Sequence, residues 1–270
     1  MSQSIQENLE SFYAALRNLN DLELQEFRNV IKAVLKPTLR EKQLTVNYHR
    51  ATFNVEMMLS IKDTRQFQTT AMLARAIFEL AVEMKLINHD KDASHKIALF
   101  MEVEKLKAAR RLVAFKRAHP NSPFHYETHE TFIEKNGSRI DAERAAMWPP
   151  GDGKKDKTIK HWTTKDLMGR ATSLGEPFDR IYHVHYAELS WMTHSGASPM
   201  NINNNWVTSF VGVSYAIAMQ SYEQILEILV NEFKMYNHDA LLKKKIICSR
   251  ELGFTSTDQQ ARALRQRYGV

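Results

Sequence analysis

Glycine occurs nine times and proline seven times in 270 residues, and this scarcity constrains the fold more than any other feature of the chain. A sandwich or barrel of this length needs a turn roughly every ten residues, and turns draw on these two residue types. Long helices joined by few loops need far fewer. No stretch shows convincing strand-like alternation of apolar and polar residues. The expectation is an all-α bundle of seven to nine helices, forming one helical domain over residues 1–270.

Apolar spacing and stop signals place the helices. Ile5, Leu9, Phe12 and Leu16 share one face of a helix from Ser4 to Leu19. Asn20 or Asp21 can cap a second helix, Leu22 to Lys36, which Pro37 closes. Thr38 to Lys62 forms a third. Asp63 or Thr64 caps a fourth, running to about Asn88, and Asp92 or Ser94 opens a fifth, stopped by Pro120. Residues 120–162 gather four prolines and three glycines and read as an inserted loop region with a modest helix from Thr128 to Met147. Thr163 or Thr164 then caps a short helix to Leu174, followed by Glu176 to His194. The Asn203–Asn205 group caps a helix to Phe233, Asp239 to Leu252 is the last helix, and residues 253–270 form a basic C-terminal tail.

The net charge of +6 admits an anionic partner such as nucleic acid, RNA included, although many soluble proteins carry such an excess without one. A single cysteine, Cys248, rules out an intramolecular disulfide and fits a reducing, cytoplasmic setting. Cys248 reads as a small core residue. Met1 to Arg17 has no apolar core of signal-peptide type, and no apolar run is long enough for a membrane span. No membrane partner is expected, and a homo-oligomer is a further candidate assembly. His125 and His129 lack an identified third ligand, so no metal and no cofactor is expected. Phosphate-loop, dinucleotide-glycine and catalytic-serine signatures are missing.

Two motifs carry chemistry. Thr69 to Val82 is apolar nearly all round, with Arg75 and Glu79 as its only charges, four apart and on one face. An all-round apolar helix is buried, and buried charges need partners, so the pair is either a structural ion pair or part of a functional site. On the helix before His194, Tyr186, Ser190 and His194 recur every four residues beside an apolar seam that includes Tyr182, His185 and Leu189. A phenol, a hydroxyl and an imidazole in line can donate, accept and carry protons. His194 ends its helix, where the dipole favours imidazolium, and the loop after it leads to a helix start able to receive an anion.

At Arg75-Ala-Ile-Phe-Glu79 and Tyr186-Ala-Glu-Leu-Ser190-Trp-Met-Thr-His194 the chain resembles an uncharacterised bacterial family of helical proteins, a domain-of-unknown-function group, with Trp162 and Gly196 as further matching positions. The resemblance covers most of Thr45 to Phe233. It implies an all-α fold and a site made from these residues, with no established activity. That group is distantly similar to the HEPN class of helical nucleases and nucleotide-binding proteins, whose mark is an Arg, four to six residues, then a His. Arg180 and His185 match that spacing, although Ile181 stands where a polar residue is usual. This similarity implies a HEPN-like core.

The function expected is a metal-independent ribonuclease or RNA-binding effector of toxin or phage-defence type. His194 would act as acid or base, Arg75 would face a phosphate, and Tyr186, Ser190 and Glu79 would orient them. The alternative is a non-catalytic helical module that binds a protein or nucleotide, with the same five residues as a structural network.

Overall fold

A computed structural model describes residues 4–123, 125–149, 159–193, 203–233, 239–255 and 257–270. Among these residues every regular element is a helix, in agreement with the scarcity of turn residues. The α-helices are α1 (Ile5–Leu22), α2 (Arg28–Lys32), α3 (Leu39–Ser60), α4 (Phe67–His89), α5 (Ala93–Ala118), α6 (Glu127–Met147), α7 (Leu167–Leu174), α8 (Phe178–Ile181), α9 (Ala187–Thr193), α10 (Asn204–Glu232), α11 (Asp239–Leu252) and α12 (Asp258–Tyr268). A π turn at Glu23–Phe27 joins α1 to α2, and another at Tyr182–Tyr186 joins α8 to α9. The described residues therefore form ten continuous helical rods, more than the seven to nine expected.

Caps explain several helix starts. Ser4 accepts from Glu7 N while Glu7 accepts from Ser4 N, and Thr38 and Glu41 do the same at the start of α3. These capping boxes satisfy backbone donors that a helix start leaves open. Asn203 accepts from Trp206 N at 2.8 Å and starts α10, as its position implies.

Four boundaries differ from expectation, the first being the end of the second expected helix, which lies at Lys32, four residues short of Lys36. Asn20 and Asp21 cap nothing, because the first two expected helices are one rod, and its extra residue is absorbed in the π turn rather than in a break. The short helix begins at Leu167, not after Thr163 or Thr164. Thr164 takes a left-handed backbone (φ 62°), and Thr163 bonds His161 instead. The basic C-terminal segment contains a helix, α12, capped by Thr257.

The chain falls into two compact units, Met1–Asp90 with Leu167–Val270, and Lys91–Asp166. In the first, α10 lies at the centre against α1, α3, α4 and α11. Its Phe210, Ile217, Leu226 and Leu229 are buried. Gly253, just past α11, meets Ala15 so closely that a Cβ would lie 2.2 Å from the Ala15 backbone nitrogen. The second unit is the hairpin of α5 and α6, closed over Leu99, Val103, Leu106 and Ile140 with Phe132 and Trp148 against them. Ion pairs Arg110–Asp141 and Arg139–Glu102 bind its two helices on the outside. The segment expected as an insertion, 120–162, supplies α6 to this unit, and Trp148 Nε1 donates to the Trp162 carbonyl at 3.1 Å.

Candidate functional site

The site is built on α4 and on the rod from α8 to α9. The i, i+4 spacing puts Arg75 and Glu79 on one face of α4, and Arg75 Nε donates to Glu79 Oε1 at 2.7 Å. Opposite them, Tyr186 Oη donates to the same Glu79 oxygen, also at 2.7 Å. The Arg75 guanidinium lies over the Tyr186 ring, 5.1 Å from its centroid, within cation–π range. Arg75 Nη1 reaches Ser190 Oγ at 3.5 Å. Four of the five expected residues thus form one connected cluster. The fifth, His194, lies outside the described residues, as does Gly196. Trp162 is buried within the other unit.

The pair is not buried as the apolar composition of α4 implied. The Arg75 side chain keeps 26% of its surface exposed and Glu79 keeps 41%. Leu73, Arg75, Ala76 and Glu79 are part-exposed and Met72 is exposed, so α4 is covered on one side only. Partial burial disfavours the Arg75 charge, but the Glu79 hydrogen bond and charge outweigh it, and the guanidinium is held more firmly protonated than usual. Burial, then the neighbouring Glu79 carboxylate, pushes the Tyr186 phenol well above its ordinary range. Tyr186 is therefore a hydrogen-bond donor here and not a ready base.

The sequence reading placed Tyr182 only on the apolar seam and missed its contact with Tyr186. Its ring stacks on Tyr186 at 4.9 Å and 19°, and meets His183 edge-on. Phe78 supports Tyr186 from behind at 5.9 Å. Both tyrosines belong to the π turn, an irregularity frequent at functional sites. The pair singled out by the HEPN spacing, Arg180 and His185, lies on the same rod. Arg180 is bonded to Glu176 and Gln220. Burial lowers the His185 pKa, with Glu188 opposing and Arg180 reinforcing the shift.

A second polar cluster was also missed. Glu23, in the first π turn, is fully buried and accepts from Tyr48 Oη. Arg28 bonds it at 3.2 Å and bonds Glu56 at 2.8 Å nearer the surface. Thr52 and Tyr222 pair beside it at 3.3 Å. The signal was present: Leu19, Glu23 and Phe27 follow at spacing four, so a charge stands on an apolar face.

Cys248 is buried, and burial raises its thiol pKa, as suits a core residue. Among the described residues no three His, Cys, Asp or Glu side chains form a metal-binding group, and no helix is long and apolar enough to cross a membrane.

No curated protein and no solved structure matches the chain. A family model described as a family of unknown function, DUF5677, matches residues 57–207. The matched span contains Arg75, Glu79, Trp162, Tyr186, Ser190, His194 and Gly196, the positions on which the sequence resemblance rests. It covers more than half of the chain, and the protein belongs to the DUF5677 family.

Proposed function

We propose that the Arg75–Glu79–Tyr186–Ser190 cluster is a phosphodiester site, and that the protein acts on RNA as a metal-independent ribonuclease or RNA-binding effector of toxin or phage-defence type. The observation that carries the reading is the setting of Arg75. Its guanidinium is oriented by the Glu79 carboxylate, the Tyr186 ring and the Ser190 hydroxyl while about a quarter of its side chain stays open. A fixed guanidinium fork suits a phosphate and the charge that develops on it during transfer. His194, one helical turn beyond Ser190 in sequence, would move the proton. The basic charge of the chain suits RNA, and a HEPN-like helical core belongs to this reading.

The test is RNA cleavage in EDTA by the wild type and by His194→Ala, with thermal melts alongside. Cleavage lost in the variant at an unchanged melting temperature supports the enzyme. RNA binding without cleavage, weakened by Arg75→Ala, supports the effector form. One observation favours the rival reading of a non-catalytic module that binds a protein or nucleotide: Glu79 Oε1 receives both Arg75 and Tyr186, so the groups satisfy one another as a structural network does. Neither cleavage nor RNA binding across varied RNAs puts that reading first.

A further inference from the structure

On α10, Gln220 and Gln224 stand one helical turn apart and line an open cleft of about 550 Å³ between α1, α8, α10 and α11. That volume falls within the range of small-molecule sites, roughly 300–1,000 Å³. One wall is aromatic: Phe12 and Phe254 meet edge to face at 5.7 Å and 87°.

The charged groups of the cleft cancel. Arg180 and Arg250 face Glu223 and Glu227. Arg250 is bonded to the buried Glu223 at 2.8 Å, and Arg180 to Glu176 at 3.1 Å. A lining without net charge, whose ions already hold partners, selects neither a free phosphate nor an ammonium group. It suits a neutral ligand.

The glutamines supply the recognition. Gln220 Oε1 accepts from Arg180 Nη2 at 3.2 Å, which commits its oxygen and leaves its NH2 group to donate. Gln224 Nε2 donates to Glu227 at 3.4 Å, which leaves its oxygen to accept. Among the described residues, neither the Gln220 nitrogen nor the Gln224 oxygen has a partner. One donor and one acceptor, beside an aromatic wall, match a planar heterocycle that carries an acceptor and a donor on its edge.

We propose that this cleft binds a neutral nucleobase, free or as its nucleoside, read by Gln220 and Gln224. It shares no residue with the Arg75 cluster and stands whether or not that cluster binds phosphodiesters.

The experiment is calorimetric titration of the full chain with adenosine, guanosine, cytidine and uridine in turn. The proteins compared are the wild type, Gln220→Met with Gln224→Met, and Arg75→Ala. At least one nucleoside should bind saturably, and the double variant should bind it about tenfold more weakly or worse, the loss that one or two hydrogen bonds imply. Arg75→Ala should bind it as the wild type does. Absence of saturable binding to the wild type at millimolar nucleoside overturns the proposal, as does equal binding by the double variant. If the double variant melts early, Gln220→Leu alone takes its place with the same criterion.

Discussion

Tyr186 donates its phenolic hydrogen to Glu79 Oε1 at 2.7 Å, onto the oxygen that also receives Arg75. This bond ties α4 to the rod of α8 and α9 and fixes the orientation of the only two charges within the apolar stretch Thr69 to Val82. It also makes the cluster modest in energy, because both charged partners keep part of their hydration.

Arg75→Ala should therefore cost about 1 kcal/mol or less, in the range of exposed ion pairs. Tyr186→Phe should cost about 1 kcal/mol, the value of one hydrogen bond. The pair Arg75→Ala with Tyr186→Phe should cost less than the two changes added, since both act through Glu79. Urea denaturation of the three variants measures this. A loss of several kcal/mol in Arg75→Ala would mean that Glu79 is far more desolvated than its 41% exposure indicates.

The buried cluster should behave in the opposite way. Arg28 is the cation bonded to Glu23, whose side chain has no exposed surface. Arg28→Met strands that carboxylate and should destabilise by about 3–5 kcal/mol. Adding Glu23→Gln should recover part of the loss, since the stranded charge is then gone. Chemical denaturation of the single and double variants decides it.

The Tyr268 pKa is raised by its hydrogen bond to Glu251, and four further tyrosines should resist ionisation in the folded protein because they are buried. Burial is the first cause in each, and it raises Tyr48, Tyr186, Tyr215 and Tyr222 above the ordinary value of 10.0. Their folded values lie above their unfolded ones, so their contribution is complete below pH 10.0 and is lost as pH rises beyond it. Ultraviolet difference titration should show these phenols ionising together with unfolding, and stability should fall steadily above that pH. A titration in which all nine ionise reversibly near the ordinary value, with the fold intact, would contradict the burial seen at Tyr48 and Tyr222.

Gly253 and Gly137 should respond differently to alanine. At Gly253 a Cβ would sit 2.2 Å from backbone of α1, so something must move, at an overpacking cost of about 1–3 kcal/mol. At Gly137, in α6, the nearest contact is an ordinary 3.6 Å, and alanine should stabilise by up to about 1 kcal/mol through helix propensity. Thermal melts of the two variants compare them directly. Equal effects would show that the close approach of Gly253 to Ala15 is absent in solution.

Much of the architecture was legible in the chain. The Asp63 and Asn203 caps fall where the sequence places them, because a cap is a local bond between residues two or three apart. The pairing of Arg75 with Glu79 also follows from their spacing of four, whereas the approach of Tyr186 and Ser190 to them is a contact between helices that spacing does not determine. The union of the first two helices was not legible. Asn20 and Asp21 are good capping residues, and only the packed neighbours show that the helix runs on through a π turn, with Asn20 buried instead of capping.

By itself, the sequence determined the helical class and which residues share a helix face, since both follow from local backbone preference and a period of 3.6 residues. The tertiary structure alone decided which face is covered. It left Arg75 and Glu79, on a strongly apolar helix segment, partly open to water, and enclosed Glu23, on an unremarkable amphipathic one, completely. Periodicity fixes the neighbours of a residue along its own helix, whereas burial depends on which other helices arrive there, and that is set by the packing of distant segments.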